Sequence, residues 1–293
     1  MKYKLMLSLL LLWGGFIGCK NDEHSYTYKR DIAKKLIENK EETILIKYRI
    51  KNLKTKKISK WNKTYSLPDL KDKNWNYIFS SLNYLLDSPI ENLSYEDVDP
   101  LMGRFGYRIH PVTLIPRNFH TGIDIYKKDK DTVKAVLEGN LEIKKDNLSG
   151  KWIKIIHPVY TLDSFVLESR YLHLKKIIKK EGKVKKGEKI GLVGGTGIME
   201  GYIPHLHYEL VLRKNKRIIL LDPLLIYFNK TEKNITSKIK DKISPHAELI
   251  EIIEKTEKKN LKFLPTYLEF WKEKGKKDYK FKILVERIKE IID

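Results

Sequence analysis

The segment Pro204-His205-Leu206-His207-Tyr208-Glu209-Leu210 sets two histidines two residues apart in a run with the composition of a β-strand. Strand side chains alternate between faces, so His205 and His207 point together while Leu206 and Tyr208 point the other way. Two imidazoles aimed at one place suit a metal ion or a proton-transfer site, and the pair alone leaves both open. Upstream, Phe119-His120-Thr121-Gly122-Ile123-Asp124 carries a histidine and a carboxylate four residues apart. Gly122 and its β-branched neighbours favour extended or turning backbone there rather than helix. Arg170-Tyr171-Leu172-His173-Leu174 adds another histidine at the end of a predicted strand. Two imidazoles, a carboxylate and an open position make a familiar hydrolytic zinc site, because zinc takes N and O ligands tetrahedrally and leaves room for water.

The elements that must position these residues lie between about Gly103 and Phe228, a stretch that holds six of the eight histidines. Short β-like runs (AVLEGNLEI, KWIKIIHP, KVKKGEKIGLVGG) alternate there with turns, the pattern of a mainly β domain with loops around a site. Ahead of it, residues 31–39 place Ile32, Leu36 and Ile37 at helical spacing, and TILIKYRI alternates as a strand with one wet face. Residues 52–57 are expected to turn that strand into a second one at ISKWNKTYSL, making a hairpin. A helix is predicted from Trp75 to Leu86, followed by a loop at SPIENLSYEDVDP. Beyond Asn229 the chain is rich in Lys and Glu. AELIEIIEKTEKK carries Leu249, Ile250, Ile252 and Ile253, and FKILVERIKEII carries Phe281, Leu284, Val285, Ile288 and Ile292 at helical spacing. Such helices are expected to pack on their own domain, and no internal repeat is evident.

The formal net charge is +21, from 59 Lys+Arg against 38 Asp+Glu. The excess is mostly Lys scattered over the whole length, with no basic cluster interleaved with aromatics, so nucleic acid is not expected as a partner. Cys19 is the single cysteine, which excludes a disulfide scaffold and a multi-cysteine zinc site. Lys2 and Lys4 precede an apolar run from Leu5 to Ile17, a signal-peptide pattern too short for a comfortable membrane span. It ends in Phe16-Ile17-Gly18-Cys19, which resembles a bacterial lipobox. The resemblance implies lipidation of Cys19 and a place in the cell envelope, anchored to a membrane.

Taken in order, GYRIHPVT (106–113), FHTGIDI, RYLHL, KVKKGEKIGLVGGTG and PHLHYEL followed by Asp222-Pro223-Leu224 resemble the lysostaphin-type, LytM-like zinc metalloendopeptidases that cut peptidoglycan. The likeness covers residues 103–226. It implies an α+β chain with a mainly antiparallel β core and a groove across it. It also implies one zinc ion per chain held by His120, Asp124 and His207, with His173 and His205 as the catalytic histidines in roles the sequence does not divide. The function implied is a lipid-anchored endopeptidase acting on the peptide cross-links of peptidoglycan. The alternative is a non-catalytic wall-binding or amidase-regulating module of the same kind. A phosphotransfer domain with a phosphorylated histidine would fit the paired histidines but not His120 and Asp124.

Arg108 has two readings of equal standing, a clamp on a substrate carboxylate and a structural salt bridge. His110 and His157 read as structural, and His24 and His246 as solvated. Gly194, Gly195 and Gly197 lack the spacing of a phosphate loop and are expected to form a tight turn before the site. The chain departs from the family at Asp131-Thr132-Val133, where a proline is usual, and in longer segments at 198–203 and 157–171. The expected organisation is a signal peptide (1–19), an N-terminal extension (20–100), the peptidase domain (101–228) and a helical C-terminal extension (229–293) with faces open to envelope partners.

Overall fold

Alternating patterns through the middle of the chain become strands that pair largely with their neighbours in sequence. The computed structural model describes residues 46–48, 53–60, 63–116, 118–128, 130–162, 164–199, 203–229, 245–275 and 279–293. The signal peptide, Cys19, His24 and the helix expected at 31–39 lie outside them. In chain order the strands and α-helices are β1 (Ile46–Tyr48), β2 (Thr55–Lys60), β3 (Lys63–Pro68), α1 (Asn74–Leu85), β4 (Gly106–Arg108), β5 (Asn118–His120), β6 (Ile123–Tyr126), β7 (Thr132–Lys134) and β8 (Gly139–Asp146). There follow β9 (Gly150–Leu162), β10 (Phe165–Leu172), β11 (Lys176–Ile177), β12 (Gly182–Val184), β13 (Lys189–Leu192), β14 (His205–Lys214), β15 (Arg217–Leu221), α2 (Pro223–Phe228), α3 (Pro245–Glu254), α4 (Leu264–Gly275) and α5 (Tyr279–Ile292).

Among the described residues, one sheet runs in the order β12-β8-β9-β10-β14-β15-β3-β2, with β1 on β9 and β6 on β14. Its pairs are antiparallel except β1 with β9 and β15 with β3. The fold is thus α+β with a β-rich, mainly antiparallel core, as expected. One face of the sheet is apolar: Leu206, Tyr208 and Leu210 of β14 share a core with Leu167 and Tyr171 of β10 and with Trp75, Ile78 and Leu82 of α1. At roughly 25 cal/mol per Å² of apolar surface removed from water, residues of this size each contribute about 1.5–3 kcal/mol. The opposite face of β14 carries His205, His207 and Glu209, all buried. The period of two therefore sorts one strand into a core face and a chemical face.

One expectation needs correction. The N-terminal hairpin joins β2 to β3, with Lys60 opposite Lys63, so the turn falls inside the segment read as one strand. β1 instead runs parallel to the far end of β9, with Ile46 opposite Tyr160. The alternation of TILIKYRI identifies a strand with one wet face but does not encode its partner. The described part of the N-terminal extension shares the core of the residues that follow, since Trp75, Ile78 and Leu82 pack with Ile123, Ile125 and Leu206. The longer segment at 157–171 is the outer part of the β9–β10 hairpin, the part to which β1 is added.

His157 fills a structural role. It is fully buried, its Nδ1–H donates to the Glu138 carbonyl at 2.9 Å, and its Nε2 lies 2.8 Å from the Ser169 hydroxyl. Burial pushes its pKa down to about 4, so it is held neutral inside the sheet.

Candidate active site

Strand pairing brings the chemical residues together from distant parts of the sequence. In the β6–β14 ladder Asp124 stands directly opposite His207, and Tyr126 opposite His205. In the β4–β5 pair His120 stands opposite Gly106. The close approach of the chain to β14 depends on Gly122, where a Cβ would sit 2.2 Å from the Tyr208 carbonyl oxygen. His173 follows the last residue of β10 with a φ of 63°, a left-handed conformation uncommon for a residue with a side chain. Its amide donates to the Ser149 carbonyl at 3.0 Å, which fixes this turn. In the glycine segment expected to turn before the site, Gly194 is bridged to His205 and Gly197, at φ 81°, opens a short 3-10 helix (Gly197–Met199).

Three buried atoms that could hold a metal ion converge. His120 Nε2 lies 2.8 Å from His207 Nδ1 and 3.2 Å from Asp124 Oδ1, and His207 Nδ1 lies 2.8 Å from the same oxygen. Ligands about 2.0–2.1 Å from a tetrahedral zinc ion stand roughly 3.3 Å apart, so this set needs to open by only a few tenths of an ångström. The donor chemistry fits zinc, with two imidazole nitrogens, one carboxylate oxygen and a fourth position left over. Orientation is fixed from behind. His120 Nδ1–H donates to the Arg104 carbonyl at 2.8 Å, which turns Nε2 inward as an acceptor. His207 Nε2–H donates to Glu209 Oε1 at 3.3 Å, which leaves Nδ1 as the nitrogen that could hold a metal ion. Glu209 accepts in turn from the Thr121 hydroxyl and from Arg170 Nη1 at 3.0 Å.

His173 and His205 complete the cluster. The Nδ1–H of His173 donates to the Thr196 carbonyl and that of His205 to the Ile203 carbonyl, each at 2.9 Å, so in both rings Nε2 is the nitrogen left to accept a proton, that of His205 lying 3.8 Å from Asp124 Oδ1. Their ring centres are 5.2 Å apart, and the His173 ring lies 5.8 Å from that of His207. Burial, with His205 next in effect, pushes His173 down to about 3. Burial likewise lowers His205, and burial followed by Arg108 takes His120 well below the ordinary histidine range. For His207 burial is opposed by the hydrogen bonds to Asp124 and Glu209, and the result is a raised pKa. Burial alone would raise Asp124, but His120 and Arg108 reverse the sign and hold it ionised.

All five residues expected from the sequence, His120, Asp124, His173, His205 and His207, therefore meet at one place. Of the two readings of Arg108, the structure shows the salt bridge. Arg108 is buried, its Nη1 pairing with the Asp124 carboxylate and donating to the Met102 carbonyl, the contacts expected of the structural reading. His110 has a local role, its Nδ1 accepting from the Val112 and Thr113 amides at 3.2 and 3.3 Å. Sequence reasoning missed Glu209, although it follows His207 by two residues on the same strand face. It also missed the carbonyls of Arg104, Thr196 and Ile203, which no side-chain pattern announces.

Residues 118–219 match the profile of Peptidase family M23. That stretch resembles an M23 peptidase domain. The matched stretch contains all five site residues and is narrower than the 103–226 likeness carried by the motifs. The chain is 39% identical over 106 residues to the DD-carboxypeptidase/endopeptidase Mpg of Neisseria meningitidis, covering 36% of this chain and 23% of that one. It is 37% identical over 110 residues to the peptidoglycan DD-endopeptidase ShyB of Vibrio cholerae, again covering 36% and 23%. Among solved structures it is similar to a zinc-containing peptidase from Vibrio cholerae, at 30% identity and a TM-score of 0.36, over 51% of this chain and 39% of that one. The chain thus spans about a quarter of the length of these two sequence relatives, and the likeness is one of the M23 domain.

Proposed function

We propose that this protein is a zinc metalloendopeptidase that hydrolyses peptide cross-links of peptidoglycan and is tethered to a membrane by lipid on Cys19. The observation that carries the reading is the convergence of His120 Nε2, Asp124 Oδ1 and His207 Nδ1 within 3.2 Å of one another, with His173 and His205 beside them. The M23 domain and the names of its peptidoglycan-cutting relatives support the substrate class. Zinc, when bound, would supply Lewis acidity toward the scissile carbonyl and lower the pKa of a water molecule. The chain's own residues supply the proton handling. With Nδ1–H tied to a backbone carbonyl and the ring held neutral by burial, His205 or His173 can accept the attacking water's proton at Nε2 and pass it to the leaving amine. The resulting imidazolium can also face the developing oxyanion.

The test uses protein lacking residues 1–19, scored for zinc content and for peptide fragments released from purified peptidoglycan. The expected result is one zinc per chain, fragments whose masses name the bond cut, and loss of release on chelation with recovery on adding zinc. Failure to take up zinc would overturn the reading. Zinc uptake without release from any peptidoglycan would replace it with the wall-binding or regulatory module.

The tether has its own measurement. The chain with its leader intact should partition into membranes and incorporate labelled fatty acid, whereas Cys19→Ser should do neither. Membrane partition of Cys19→Ser equal to wild type would sink the anchor. Among the described residues no helix is long and apolar enough to cross a membrane.

A further inference from the structure

Helices α3, α4 and α5 lie outside the M23 domain and supply no ligand, yet their core is shared with the metal site's foundation. Leu249, Ile252, Tyr267, Trp271 and Ile288 pack in one cluster with Leu101, Met102, Ile109 and Leu114. Those four residues come from the segment before β5, and none is more than 2% exposed.

That segment holds two of the three ligands through its backbone. The Arg104 carbonyl fixes the His120 ring at 2.8 Å, and the Gly103 carbonyl accepts the Asp124 amide at 2.6 Å. The Met102 carbonyl accepts from Arg108, whose guanidinium pairs with the Asp124 carboxylate. Residues 101–104 belong to no strand or helix, so sheet pairing does not stiffen them. Leu101 and Met102 instead point into the helical core. From α4, Trp271 Nε1–H donates to the Pro111 carbonyl at 3.0 Å, and its ring stacks on Tyr267 at 5.3 Å. The Tyr267 hydroxyl donates to that of Tyr126, whose ring lies 5.6 Å from His205.

We propose that the C-terminal helices set the metal affinity of the site by clamping the 101–104 turn, with Trp271 as the principal positioning residue. A carbonyl orients a ligand only as well as the turn carrying it is held, and here the hold comes from a separate core. On this view an excised M23 domain would lack part of its metal site, although every ligand is present.

The inference rests on the peptidase reading only in taking the ligand set to bind zinc. It is tested with Trp271→Ala and the milder Trp271→Phe, against Leu82→Ala in the other core as a control for general destabilisation. All three should melt earlier than wild type. Only the Trp271 variants should lose zinc affinity against a competing chelator, by roughly ten-fold or more for alanine. In the metal-free protein only they should exchange the Asp124 amide hydrogen faster. Earlier melting of Trp271→Ala with unchanged zinc affinity and unchanged Asp124 exchange would overturn the proposal, as would equal losses in Leu82→Ala. If Trp271→Ala does not fold, Trp271→Phe carries the comparison. If the wild type takes up no zinc, the peptidase reading and the claim on metal affinity both fall, and Asp124 exchange then decides only whether Trp271 clamps the 101–104 turn.

Discussion

His120→Ala should fold, hold no zinc and release nothing from peptidoglycan. His120 contributes one of three convergent ligand atoms, and its side chain lies outside both large apolar cores. The variant leaves the Arg104 carbonyl without its imidazole donor, a local cost of about 1–3 kcal/mol that two cores of this size can absorb. Metal binding has no such reserve. Changes to groups that merely orient ligands cost roughly 10–100-fold in affinity, and removal of a ligand should exceed that. Competition against a chelator of known affinity reads the loss, and a cooperative melt shows that the chain is folded. Zinc binding by His120→Ala equal to wild type would mean that the three atoms are not the ligand set.

His205→Ala should separate chemistry from metal binding. The variant is expected to keep one zinc per chain while turnover falls by about 10²–10⁴, the usual worth of a positioned acid or base. His173→Ala should behave alike, because each ring has Nδ1–H committed to a carbonyl and Nε2 left as acceptor. The readout is kcat on a soluble cross-linked peptide with metal content measured on the same sample. A metal-replete His205→Ala within a few-fold of wild-type kcat would remove that residue from the proton path. A greater loss in one variant than in the other would assign the roles that geometry leaves shared.

The site was legible in the sequence to the extent that its chemistry is carried by side chains in a periodic strand. His205 and His207 declare a common face by their spacing, and Asp124 and His120 are marked by a glycine that β14 leaves no room to replace. Glu209 was equally available on that face, but Glu on a wet strand face is ordinary unless its partner is known. Arg108 could not be resolved from sequence because its two partners, Asp124 and the Met102 carbonyl, are neighbours only after folding. Two of the C-terminal helices, α3 and α5, are visible as amphipathic stripes, whereas α4 is not. That they cover Leu101, Met102, Ile109 and Leu114 was not visible, because an apolar stripe states what it needs to bury and not against what. The hairpin shifted for a related reason, since strand periodicity identifies a face and leaves pairing to the rest of the sheet.

The ladder that sets Asp124 opposite His207 joins residues 83 positions apart in the chain. Contacts of such separation are slow to form, because a long loop must close before they yield any free energy. The ligand trio therefore assembles only after β6 has docked on β14, and no short stretch of nascent chain presents all three atoms together. On the proposed zinc reading, capture of the ion would come late, when the sheet is built, so that a bound ion would mark a chain whose β6–β14 ladder has already closed.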